Sequence, residues 1–182
     1  SATHWFGTDN SGRDIFTRTW IGARISLLIG IGCVLVSMAI GIPMGAVAGY
    51  AGGKTDMVLS RIVDLMLAFP SILLAICIAA AMGTGINTVI IAVGVVGIPQ
   101  FARQVRASVL QLREQEFVLA SHSLGASHAR VLFAGIIPNA LGPIIVLATL
   151  GVGTSILTAA GLSFLGLGVE PGTPEWGAML HD

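Results

Sequence analysis

Charge is what this sequence has least of. Only 18 of its 182 residues are Asp, Glu, Lys or Arg, 10% of the chain, against about 25% in soluble globular domains. A water-exposed globule is therefore disfavoured. The nine basic and nine acidic residues cancel, which leaves no electrostatic reason to bind nucleic acid or an acidic ligand. Cysteine is limited to Cys33 and Cys77, both inside apolar runs. There they read as small buried hydrophobes rather than a disulfide, a redox pair or metal ligands. No G-x-x-x-x-G-K-[ST] loop occurs, so nucleotide is not bound by that route, and no catalytic or metal-ligating constellation stands out. Nor does the start look like a cleavable leader. Residues 1–24 hold Asp9, Arg13, Asp14, Arg18 and Arg24 instead of a short apolar core, and the first residue is not Met, so a piece of a longer chain is expected.

What is present is apolar and small: 54% of residues are hydrophobic, mean hydropathy is +0.90, and 24 are Gly. The charges leave three long gaps, 25–53, 65–102 and 131–169, of 29, 38 and 39 residues. About 20 apolar residues cross a bilayer, and a charge at its centre costs about 3 kcal/mol, so such gaps read as membrane spans. The first gap supplies one span, Ile25 to about Tyr50. The second divides at Met82-Gly83-Thr84-Gly85-Ile86-Asn87 into spans over about 65–82 and 87–103. The third runs from near Ile136 to about Ala160, after which Gly161, Gly166, Gly168 and Pro171 mark irregular backbone. The expected fold is all-α, a polytopic membrane bundle with four spans. Lys54, Arg61, Arg103, Arg106, Arg113 and Arg130 fall on one side and Arg13, Arg18 and Arg24 on the other, which places the two longer loops in the cytoplasm.

Gly41, Gly45 and Gly49 recur every four residues, forming a small-residue face along which helices can approach closely where lipid supplies no hydrophobic drive. Pro43, Pro70, Pro99, Pro138 and Pro143 each remove a backbone donor, so kinks or helix starts are expected there. This content favours a moving transport machine over a rigid anchor. The ionisable mid-membrane group of an ion-driven transporter is missing. Asp64, the nearest candidate, sits three residues from Arg61 and reads as half of a local ion pair. Ser37, Thr84, Asn87, Thr88, Asn139, Thr149, Thr154 and Ser155 can hydrogen-bond either a substrate or another helix. If the chain moves a solute uphill, the energy comes from another polypeptide.

Residues 104–135 gather much of the remaining charge between two spans. They read as two short helices. Arg106–Leu124 carries an apolar stripe at Val109, Phe117, Ala120 and Leu124, interrupted at Arg113-Glu114-Gln115-Glu116. Gly125 suits the left-handed closing residue, and Ser127 suits the N-cap of the next helix. Such a segment is either a docking surface or a solvated elbow. At the opposite side, Asp14 and Arg18 are an i,i+4 pair, and Asp9 or Ser11 can cap a short helix leading into the first span. Pro171, Gly172 and Pro174 prevent a regular helix, and Trp176 suits a membrane boundary, as an anchor, a docking surface or an outer gate.

The stretch Glu116-Phe117-Val118-Leu119-Ala120-Ser121-His122-Ser123-Leu124-Gly125-Ala126-Ser127, followed by Ile136-Ile137-Pro138-Asn139, resembles the EAA loop of permease subunits in binding-protein-dependent ABC importers. It departs where Glu-Ala-Ala reads Leu119-Ala120-Ser121, so no contact of that Glu is carried over. Residues 7–18 resemble the G-T-D-x-x-G-R-D-x-x-x-R entry of the dipeptide, oligopeptide and nickel group, and residues 162–180, Leu162-Ser163-Phe164-Leu165-Gly166-Leu167-Gly168 through Pro174-Glu175-Trp176-Gly177-Ala178-Met179-Leu180, resemble its segment before the last span.

The resemblance covers nearly the whole chain. It implies a MetI-like permease core of a type I ABC importer, with residues 1–182 a single permease domain lacking one outer span at each end and 104–135 the coupling loop. In that family the loop sits in a groove of a cytoplasmic ATPase, which assigns coupling to Glu116, Phe117, Ala120, Ser121, Leu124, Gly125, Ala126 and Ser127. Gly41, Gly45 and Gly49 would pack helices, and Asn139, Ser155 and Trp176 would line a pathway or gate. The implied function is import of dipeptides or oligopeptides across the bacterial inner membrane by a chain that is not itself an enzyme and binds no cofactor. Its implied partners are a homologous second permease, two ATP-binding subunits carrying ATP and Mg, an extracytoplasmic substrate-binding protein and the lipid bilayer, with no nucleic acid. The rival readings are a secondary transporter or channel needing no ATPase, and an assembly factor with no pathway.

Overall fold

Long uncharged runs in lipid can satisfy their backbone only as helices, and helices are what form. The computed structural model describes residues 4–170 and 172–180; Pro171, read above as part of an irregular segment, lies outside them. In order the elements are α1 (Ile15–Ala51), α2 (Gly53–Leu67), α3 (Ser71–Met82), α4 (Ile86–Leu112), α5 (Glu116–Ser123), α6 (His128–Arg130), a π-helical segment (Val131–Ile136), α7 (Ile137–Phe164) and α8 (Trp176–Met179). Among the described residues the only strand-like feature is an isolated bridge between Thr8 and Asp14.

Among the described residues three helices are long and apolar enough to cross a bilayer: Ile15–Ala51, Ile86–Leu112 and His128–Phe164. α2 and α3 qualify only as a pair. The expected span over 65–82 is thus not one helix. It breaks at Ala68-Phe69-Pro70, where proline lacks the amide a continuing helix needs, and the 12 residues of α3 cover about 18 Å of a core about 30 Å thick. The first loop is likewise helical from Gly53 onward. α4 carries Arg103 and Arg106 on the helix that holds its span, and Gly161, expected to mark irregular backbone, is still helical within α7. The expected turn at 83–86 is present between α3 and α4.

Two compact units form. One comprises Ser1–Val36, Pro70–Val96 and Gly151–Asp182. Its core is Ile29, Cys33, Ala75, Val89, Val93, Ala159, Leu162 and Val169. Both cysteines are free; Cys33 is buried as expected, whereas Cys77 is exposed. The entry to α1 is organised by two aspartates. Asp9 accepts from the amides of Ser11 and Arg13 at 2.9 and 2.8 Å, from Arg13 Nε at 2.8 Å and from Arg18 Nη1 at 2.8 Å. Among the described residues no separate short helix precedes α1, and the cap of α1 is neither Asp9 nor Ser11. It is Asp14, which accepts from the Thr17 amide at 3.0 Å and its hydroxyl at 2.5 Å. The Thr17 hydroxyl and then its amide hold the Asp14 carboxyl below the usual carboxylate range.

In the same unit the 173–179 segment is fastened to α1 by a buried glutamate. Glu175, 1% exposed, accepts from the amides of Gly177 (3.0 Å) and Ala178 (2.9 Å) and from Ser26 Oγ (3.3 Å). Ser26 Oγ accepts in turn from the Trp176 amide at 3.3 Å. Replacing Glu175 with Ala removes the acceptor of one buried N–H group, one part-buried N–H group and one buried hydroxyl, at a cost of about 1–3 kcal/mol for each group left buried and unpaired. Thermal denaturation of the detergent-solubilised protein is expected to show a clear loss of stability for Glu175→Ala and a smaller one for Glu175→Gln; an unchanged midpoint for the Ala variant contradicts the fastening.

The second unit comprises Ser37–Phe69 and Gly97–Leu150. Its core is Ala46, Val105, Val109, Val118, Val131, Leu132, Ile136, Ala140 and Ile144. Here the glycine face of α1 meets α4. A Cβ on Gly41 would press on the Ile98 carbonyl and Phe101, one on Gly45 on the Ala102 carbonyl and Val105, one on Gly49 on the Arg106 carbonyl and Val109. The four-residue step recurs on both helices, as a small-residue seam requires. Asp64 does not pair with Arg61 as expected. Its Oδ1 accepts from Arg103 Nη2 of α4 at 2.8 Å.

Candidate coupling site

α4 ends at Leu112, so the expected helix over 106–124 is two helices separated by the turn 113–115. The turn falls on the charged interruption. Arg113 reaches back to the end of α1, donating from Nη1 to the Gly49 carbonyl at 2.9 Å, one of the carbonyls a helix C-terminus leaves open. α5 then starts at Glu116 and carries a single buried residue, Val118, 4% exposed, which joins the core of the second unit.

The end of α5 is a Schellman turn. The Ala126 amide bonds the Ser121 carbonyl at 3.0 Å, the Gly125 amide bonds the His122 carbonyl at 2.9 Å, and Gly125 has φ +81°. That left-handed conformation carries no penalty in glycine. Ser127 caps the next helix, its hydroxyl accepting from the Arg130 amide at 3.4 Å. The backbone widens into a π-helix over Val131–Ile136 immediately before Pro138. This relieves the clash between a proline ring and the carbonyl four residues earlier.

These anchors decide which side chains remain available. Of the expected stripe, Val109 is buried on α4, whereas Phe117, Ala120 and Leu124 face outward, Leu124 at 88% exposure. Glu116, Gly125 and Ser127 are also exposed, and Ser121 and Ala126 are half-buried. The Ser121 hydroxyl donates to the Phe117 carbonyl at 2.7 Å. The eight coupling residues named from sequence thus lie along one helix and the turn that follows it. Six of them, Glu116, Phe117, Ala120, Leu124, Gly125 and Ser127, are exposed, on a helix and turn anchored by the buried Val118.

A group that sequence reasoning missed holds this loop on α1. The Tyr50 hydroxyl lies 3.3 Å from His122 Nε2 and 2.9 Å from His128 Nδ1, and the two imidazole centroids are 5.0 Å apart. A phenol can donate to one ring nitrogen and accept from another, so one side chain ties both arms of the loop to the last turn of α1. The available signal was scarcity: Tyr50 is the chain's only tyrosine, and two of its four histidines flank the Gly125 turn.

The expected pathway residues are placed separately. Asn139 Nδ2 donates to the Gly135 carbonyl of its own helix at 2.7 Å. Thr149 and Thr154 likewise bond carbonyls of α7, at Val146 (2.9 Å) and Gly151 (3.1 Å). Ser155 is half-buried. Trp176 Nε1 donates to the Thr19 carbonyl at 3.1 Å. Among the described residues no group of three or more His, Cys, Asp or Glu could hold a metal ion.

Comparison with known proteins supplies a context for this site. Residues 41–182 match the family model described as binding-protein-dependent transport system inner membrane component. The whole chain is 53% identical to a dipeptide transport system permease protein of Alkalihalophilus pseudofirmus, 49% to an oligopeptide transport system permease protein of Bacillus subtilis and 48% to a glutathione transport system permease protein of Pectobacterium atrosepticum. The chain spans 60% of the length of each of these relatives. A crystal structure of the MetNI methionine ABC transporter in an inward-facing conformation shares the fold, with a TM-score of 0.74 at 21% identity over 84% of this chain and 78% of that one.

Proposed function

The chain belongs to the binding-protein-dependent transport system inner membrane component family, and from that membership we propose that it is a permease subunit of an ATP-driven peptide importer in the bacterial inner membrane. Residues 1–182 act as one permease domain and form half of a translocation pathway with a homologous second permease. Two ATP-binding subunits carrying ATP and Mg lie below the permease pair, one of them docked on 104–135, and a substrate-binding protein delivers dipeptides or oligopeptides from outside. The chain hydrolyses no ATP.

The observation that carries this reading is the loop: an outward surface of Glu116, Phe117, Ala120, Leu124 and Gly125 held on a rigid scaffold by Val118, Arg113 and Tyr50. Force applied to α5 passes to α1 through Tyr50 and to α4 through Val118, which packs with Val105 and Val109. A docked partner therefore has two helices to tilt, as alternating access requires. The ionised groups of the second unit all lie at Lys54–Asp64 and Arg103–Arg130, which leaves no ion-coupling group deeper in it for a secondary transporter to use.

Affinity purification of the tagged full-length protein is expected to recover a second permease and two ATP-binding subunits, with ATPase activity in the complex and none in the permease alone. Uptake by proteoliposomes containing this chain alone, driven by an ion gradient, overturns the proposal.

A further inference from the structure

α2 has two chemically different faces, and the ion pairs on one of them fix how the helix lies. On the inner face Val63 is buried, and Asp56 accepts from Arg106 Nε and Nη2 at 2.5 and 2.6 Å. Asp64, at the edge of that face, accepts from Arg103 Nη2 at 2.8 Å. Arg103 and Arg106 are three residues apart, about 4.5 Å along α4, whereas Asp56 and Asp64 are eight apart, about 12 Å along α2. The unequal spacings are those of a helix inclined to α4, and the two pairs tie α2 to one short stretch of it. The Arg103–Asp64 pair is half exposed on the surface of this chain, with side chains 59% and 51% accessible, a placement that is costly in the hydrocarbon core and favourable at the headgroup level.

The opposite face combines exposed Val58, Ile62 and Leu65 with exposed Lys54 and Arg61, at helical spacings of three and four residues. Among the described residues neither cation has an anionic partner, and the two aspartates of α2 go to α4. Apolar side chains flanked by free cations complement the acyl boundary and the phosphates above it.

We infer that α2 is an interfacial helix lying in the plane of the cytoplasmic leaflet, with Val58, Ile62 and Leu65 in the acyl boundary and Lys54 and Arg61 on anionic lipid headgroups. This requires that the chain is embedded in a membrane with α2 on the cytoplasmic side, as the charge distribution places it, and is independent of what it imports. The break at Ala68-Phe69-Pro70 then marks where the chain leaves the interface, rather than a kink within one span.

The test uses the full-length protein with Cys33 and Cys77 replaced by Ala, in nanodiscs of phosphatidylcholine with or without phosphatidylglycerol. Spin labels are placed one at a time at Val58, Ile62 and Leu65. Equal depths at the three sites, with oxygen collisions exceeding those of a nickel chelate, are expected. Phosphatidylglycerol should slow all three labels, and the Lys54→Gln, Arg61→Gln double variant should abolish that slowing. Depth advancing by about 1.5 Å per residue, as in a spanning helix, overturns the inference. So do labels that oxygen cannot reach in the assembled complex, which would assign this face to the second permease, and a lipid response that survives the double variant.

Discussion

Replacing Gly125 with Trp is expected to abolish uptake while leaving ATP hydrolysis by the assembled complex in place. Gly125 ends α5 at φ +81° and closes the Schellman turn that aims the loop from α5 toward Ser127. A Cβ there would meet nothing within 4 Å, so crowding inside the chain is not the cause. The first cause is conformational: an L-residue held left-handed costs about 1–2 kcal/mol, and each 1.36 kcal/mol is about tenfold in rate. The second is the indole itself, which would project from the exposed surface proposed to receive the ATPase. Gly125→Asn separates the two. Asparagine tolerates the left-handed region and adds little bulk, so it should keep most of the uptake. Transport of a peptide by reconstituted complexes, read beside phosphate release, distinguishes the cases. Normal uptake by Gly125→Trp would falsify the coupling role.

The features legible from sequence are those set by residues near one another. Gly125 and Ser127 declare a helix end and a helix start through backbone preference and a side-chain oxygen, and the 83–86 turn follows from Gly83 and Gly85 between apolar runs. The seam at Gly41, Gly45 and Gly49 follows from helical period alone. What depended on partners far along the chain was not legible. Asp64 meets Arg103, 39 residues away on α4, because α2 packs beside that helix. Asp14, not Asp9 or Ser11, caps α1 because Asp9 is drawn into bonds with Arg13 and Arg18. Val118 is buried while its stripe neighbours Phe117 and Ala120 are exposed, since the break at 113–115 resets the helical phase that the stripe assumed. The Tyr50 contact spans 72 and 78 residues to its two histidines, beyond any local pattern.

Gly45→Leu is expected to have the largest effect on stability of any single substitution in the second unit. A Cβ at Gly45 would overlap the Ala102 carbonyl and approach Val105 Cβ at 2.9 Å and the Arg106 amide nitrogen at 3.0 Å. Two of these three neighbours are backbone atoms of α4, so no rotamer change relieves the contact and the helices must part. Overpacking costs about 1–3 kcal/mol where side chains can yield, and more is expected where backbone must move. Separation also opens the seam at Gly41 and Gly49, because the three glycines share one face. Gly142→Leu on α7 is the control: nothing lies within 4 Å of a Cβ there, and replacing helical Gly with Leu gains up to about 1 kcal/mol of propensity. Thermal unfolding followed by size-exclusion chromatography should show a large fall for Gly45→Leu and little change for Gly142→Leu, and equal midpoints would refute the seam. Because α1 carries Gly49 and Tyr50 just beyond Gly45, the same variant should loosen the Arg113 and histidine contacts that hold the loop. Any Gly45→Leu protein that still assembles should then hydrolyse ATP with reduced uptake, joining the packing seam to the coupling surface through one helix.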